Sequence, residues 1–69
     1  MSDKLGPVEE KALAALSRGA ILNGPVVAER IGRPRASTLR ALNRLVDLGL
    51  VVAWKAHPKD TQYLFASAA

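Results

Sequence analysis

The chain has no cysteine, one histidine and only three aromatic residues, Trp54, Tyr63 and Phe65. Without cysteine there is neither a disulfide nor a thiolate metal site to brace a small domain. His57 alone supplies no zinc ligand set, so no metal is expected. Few aromatics mean that the core is built from Ala, Leu and Val and is thin. At 69 residues the chain lies near the lower size limit for folding alone. A second subunit or a bound nucleic acid is therefore a natural source of added stability. Apolar runs are short and broken by charge, which excludes a membrane-spanning helix. Met1-Ser2-Asp3-Lys4 lacks the charged-then-apolar layout of a signal peptide, so a cytoplasmic setting is expected.

Catalytic constellations are missing as well. Ser17, Ser37 and Ser67 share a single possible histidine, and there is no glycine-rich phosphate loop or carboxylate pair. Glu9-Glu10 is explained by the positive end of a helix dipole. The chain is expected not to be an enzyme and to need no cofactor.

What the chain does have is a block of positive charge. Its net charge is +4, but the distribution is uneven. Arg30, Arg33, Arg35, Arg40, Arg44, Lys55 and Lys59 fall in one stretch that holds a single acid, Asp47. The first 29 residues are slightly acidic, with Asp3, Glu9, Glu10 and Glu29 against Lys4, Lys11 and Arg18. Such clustering fits a surface that faces phosphates, although a solvated basic face has the same composition.

No internal repeat or linker divides the chain. Gly6-Pro7 opens a first helix, with Val8, Ala12, Ala15 and Leu16 on its apolar face, Leu5 and Leu13 at the margins and Gly19 at its end. Ala20-Ile21-Leu22 is a stub strand. Asn23-Gly24-Pro25 starts a second helix that Gly32 stops after about two turns. Pro34 makes the connection a turn, and a third helix begins near Ala36 or Ser37, with Ser37 or Thr38 available for capping.

On a helical wheel Leu42, Leu45 and Val46 form the inner face of the third helix, flanked by Leu39, Thr38 and Ala41. Ala36, Arg40, Asn43, Arg44 and Asp47 point the other way. Gly49 ends this helix. Leu50 to Lys55 and Thr61 to Ala66 read as two strands joined by the turn Ala56-His57-Pro58-Lys59-Asp60. Strand alternation puts Val51, Ala53, Tyr63 and Phe65 towards the core and Val52, Trp54 and Leu64 on the outer face.

Ala28, Gly32, Pro34-Arg35, Leu42, Leu45 and Gly49-Leu50-Val51 stand in one ungapped register, followed by Tyr63-Leu64-Phe65. In this the chain resembles the winged helix-turn-helix domains of bacterial IclR-type and MarR-type regulators, from about Pro7 to Ala66. The resemblance implies an α+β fold of three helices, a short strand and a C-terminal β-hairpin wing, a single domain over 1–69. Thr38 departs from the pattern, standing where a large aliphatic or Ala is usual. Leu39 departs too, in a position commonly polar and groove-facing; it either touches thymine methyls or completes the core. Such regulators usually add an effector or dimerisation domain; none is read in this sequence, so no small-molecule effector is expected by the resemblance.

In that frame Arg40, Asn43 and Arg44 are candidates for base or phosphate contact. Arginine can bridge two guanine acceptors and asparagine pairs with the major-groove edge of adenine. The bland alternative is a solvated helix face on which Asp47 pairs with Arg44. Arg35 and Ser37, at the helix start, suit phosphate, and Arg33 either does the same or is a turn residue in water. Lys55, His57 and Lys59 on the wing are further phosphate candidates, His57 being most simply an exposed turn residue. Val52, Trp54 and Leu64 form a candidate partner surface. The resulting expectation is a sequence-specific binder of double-stranded DNA, a small transcriptional repressor or accessory factor of a phage or plasmid, working as a homodimer. The rival is a winged-helix protein–protein interaction module within a larger complex.

Overall fold

Proline and glycine punctuate the helices. Pro7 occupies the start of α1 (Pro7–Ala15), where its missing N–H costs nothing. Glu9 Oε1 accepts from the backbone N–H of Gly6 at 2.7 Å. Asn23 closes β1 (Ile21–Asn23) and caps α2 (Gly24–Ile31), its Oδ1 accepting from the N–H of Val26 at 2.9 Å. The turn through Arg33 and Pro34 leads to α3 (Arg35–Asp47), and the chain ends in β2 (Val51–Trp54) and β3 (Leu64–Ser67). These elements belong to a computed structural model that describes residues 5–68. The expectations for Met1-Ser2-Asp3-Lys4, and the outer ends of the 1–69 domain, lie outside the described residues.

Gly32 adopts φ 67 and lets Arg33 N–H reach back to the carbonyl of Ala28 at 3.1 Å. Gly49, at φ 78, closes α3 in the same way, with Leu50 N–H donating to Leu45 O at 2.9 Å. The first helix ends earlier than expected. It stops at Ala15 rather than at Gly19, and the chain turns with Arg18 and Gly19 both at positive φ. Leu16 N–H is shared between the carbonyls of Ala12 and Leu13, and Ser17 Oγ donates to Ala14 O, so the last carbonyls are already engaged there.

The start of α3 also differs. It begins at Arg35, after Pro34, and neither Ser37 nor Thr38 caps it. Thr38 instead donates its hydroxyl to the carbonyl of Pro34 at 2.9 Å, one turn back. That bond satisfies the oxygen internally and explains how a threonine sits fully buried where an aliphatic residue is usual.

The three strands form one antiparallel sheet in the order β1-β3-β2. Ala12 and Leu16, Val27 of α2, Leu42 and Leu45 of α3, and Val51 and Phe65 of the sheet make the core. This is the α+β winged helix-turn-helix read from the sequence. Two details of the hairpin change. The strands are shorter than expected, so the wing loop runs from Lys55 to Tyr63 rather than over five residues. Tyr63 therefore precedes β3 and is 49% exposed instead of facing the core. The parity of the strands themselves holds: Val51 and Phe65 are buried, whereas Val52 and Trp54 are exposed and Leu64 is half-buried. No helix among the described residues is long and apolar enough to cross a membrane.

Candidate nucleic-acid interface

Burying Thr38, Ala41, Leu42 and Leu45 fixes the rotation of α3. Ala36, Arg40, Asn43 and Asp47 then share the opposite face, and all four are exposed. Arg40 and Asn43 are thus presented together, one bearing donors and the other a donor and an acceptor.

Arg44 is placed differently. It lies on the flank that meets α1, where its Nε is 3.2 Å from Glu9 Oε2. Asp47 is not its ion-pair partner, contrary to the i,i+3 expectation. The carboxylate of Glu9 accepts from Gly6 with one oxygen and faces Arg44 with the other, tying the start of α1 to α3. The Arg44 side chain is 53% exposed, so the pair is solvent-screened and worth about 0.2–1 kcal/mol. Nothing local in the sequence pairs residues so far apart.

Arg35 occupies the first position of α3 and Arg33 the turn before it; both are exposed. Ser37 is half-buried. On the wing, Lys55 Nζ lies 5.2 Å from the centroid of the Tyr63 ring, a cation–π arrangement across the mouth of the loop. His57 Nδ1 accepts the backbone N–H of Lys59 at 3.2 Å, and Asp60 N–H donates to His57 O at 2.9 Å. The imidazole is exposed but turned onto its own loop, where it braces the wing turn. Lys59 is exposed beside it.

Between α3 and the wing lies a concave surface of about 640 Å³. Arg35, Leu39 and Asn43 line it from the helix, and Thr61, Gln62 and Tyr63 from the wing. Leu39 is 42% exposed and opens onto this space, so it does not complete the core. The sequence reading missed Tyr63, Gln62 and Thr61 as wall residues because it placed them in the second hairpin strand, with Tyr63 towards the core, whereas β3 begins only at Leu64. It also missed Ile21, which pairs with Ala66 and joins Val52, Trp54 and Leu64 on the outer sheet face. The result is one concave wall with guanidinium, amide and apolar groups, flanked by cationic loops. Such a wall has the chemistry to meet both the phosphates and the base edges of a duplex.

No protein-family model matches the chain, and no curated protein is significantly similar to it. Solved structures, however, share its fold. It aligns with the zinc-responsive MarR family member ZitR of Lactococcus lactis at TM-score 0.80 and 21% identity, over 97% of this chain and 46% of that one. With the PcaV transcriptional regulator of Streptomyces coelicolor, in complex with its natural ligand, the TM-score is 0.81 and the identity 25%, over 96% and 47% of the two chains. A point mutant of ZitR in complex with DNA aligns at TM-score 0.77 and 25% identity, over 96% and 45%. The chain therefore spans slightly less than half the length of these regulators. Its fold is a winged helix-turn-helix resembling that of MarR-type regulators, in keeping with the MarR-type resemblance of the sequence.

Proposed function

We propose that the chain is a sequence-specific double-stranded-DNA-binding protein, a small transcriptional repressor or accessory factor of a phage or plasmid. In this reading α3 enters the major groove and the wing lies along the adjacent backbone. The observation that carries it is the exposed Arg40–Asn43 face beside a wing bearing Lys55 and Lys59. The likeness of the fold to a regulator solved with DNA supports it. Arg40 and Asn43 read bases; Arg33, Arg35 and Ser37 hold phosphates at the helix start, with Lys55 and Lys59 on the wing. Arg44 contacts phosphate by exchanging the carboxylate of Glu9 for it. His57 contributes mainly by shaping the wing turn. Selection from a random duplex pool tests the reading: an enriched motif supports it, and recovery of the unselected pool contradicts it.

Lys55→Ala and Lys59→Ala are expected to weaken binding to specific and random duplexes alike, since phosphates carry no sequence information. Each should flatten the plot of log affinity against log salt by about one unit. A changed sequence preference at unchanged slope would mean that the wing reads bases.

The active form in this reading is a homodimer whose second copy covers the outer sheet face. Ile21, Ala66 and Val52 make one row there, and Asn23, Leu64 and Trp54 the next. None of these six side chains is ionisable, and Ile21, Val52 and Trp54 are 56, 46 and 37% exposed. Two copies of a basic chain meet with least repulsion through the face that carries no charge, and paired half-sites supply the affinity that one small module lacks. Trp54→Ala is expected to lower self-association in sedimentation while helical content in circular dichroism stays unchanged. A monomeric profile for both proteins contradicts the dimer.

A further inference from the structure

Among the large apolar side chains of α3, Leu39 is the one left open, and it faces the wing across the concave surface rather than the core. It rests on the start of α2. A Cβ at Gly24 would stand 2.9 Å from Leu39 Cδ2, so the missing side chain is a notch into which the leucine fits. One helical turn on, Asn43 lines the same wall, and among the described residues its amide engages no hydrogen bond. An apolar knob and a free amide four residues apart are separated by about 6 Å along the helix. Base pairs follow one another at about 3.4 Å, so the two side chains address positions within two steps of each other.

The major-groove edge of an A·T pair offers what each of them can use. Thymine alone carries a C5 methyl, and adenine presents N6–H and N7 side by side for a bidentate amide. We propose that Leu39 and Asn43 select A·T pairs at the two positions they meet, Leu39 against a thymine methyl and Asn43 on an adenine within two steps of it. Gly24 is the positioning residue that seats Leu39. This rests on the DNA-binding reading above and adds the base chemistry that the site takes.

Replacing thymine by deoxyuridine removes only the methyl, so it isolates the contact without touching the protein. The full chain is tested on the duplex enriched from a random pool, with each thymine exchanged singly. At one position or more the wild type should lose about fourfold in affinity, the worth of one buried methylene-sized group. Leu39→Ala should bind the thymine and deoxyuridine duplexes equally at that position. Gly24→Ala pushes only the flexible tip of Leu39, and Gly24 has no left-handed backbone to defend. It should therefore shrink the discrimination while its thermal melt stays that of a folded domain, a separation that a purely structural glycine would not give. Asn43→Ala should likewise become indifferent to 7-deazaadenine, which lacks the N7 acceptor. Equal wild-type affinity for every deoxyuridine duplex, or a selected motif with G·C pairs throughout, overturns the base assignment and leaves DNA binding intact. Loss of all salt-dependent binding to any duplex overturns both.

Discussion

Truncating Leu42 to alanine is expected to remove about 2–5 kcal/mol of stability, the usual cost of emptying a buried leucine site. Leu42 is fully buried and belongs to the core that joins all three helices to the sheet. A domain of this size has roughly 3–10 kcal/mol to lose, and there is no cysteine and only one buried aromatic, Phe65, to compensate. The variant should therefore melt far below the wild type in circular dichroism or be unfolded at room temperature, with DNA binding lost in parallel. A melt within a few degrees of wild type would mean that the helix is not seated on this residue.

Arg40→Ala should behave in the opposite way. Arg40 is exposed on the face of α3 opposite the buried residues, so the melt should be unchanged. Binding to the preferred duplex should fall by about 1–3 kcal/mol if the guanidinium bridges two acceptors on a guanine, with much less loss on random DNA. Arg44→Ala should cost less than Arg40→Ala, because Arg44 already spends its charge on Glu9. Gel-shift affinities that rank the two variants the other way would place the groove on the α1 side of α3.

The contrast between these arginines marks how far the sequence is informative. The inner face of α3 is legible because its burial follows a 3.6-residue period: Leu42 and Leu45 are buried as read, joined by Thr38 and Ala41 from the flanks, whereas Val46 is half-buried and Leu39 exposed. The end of α2 is legible because a glycine after a periodic stretch favours one backbone solution. Hairpin parity is legible from Val51 and Phe65. What escapes is non-local. Glu9 reaches Arg44 only because α1 packs across α3, and Leu39 is seated in a notch that exists only once α2 lies beside it. Thr38 has the chemistry of a cap, but its hydroxyl finds a carbonyl one turn back. The wing loop escapes for a different reason: Lys55 to Tyr63 is held by a short turn, the His57–Lys59 bond and one cation–π contact, none of which leaves a hydrophobic rhythm.

The most direct measurement is the affinity of the full chain for mixed-sequence duplex DNA over a salt series. With Arg33, Arg35, Arg44, Lys55 and Lys59 each neutralising a phosphate, the log–log slope should lie at about −4 to −5 for each protomer bound. Binding that ignores salt, or no binding at low salt, would contradict a nucleic-acid interface on this face and leave the winged helix as a surface for protein partners.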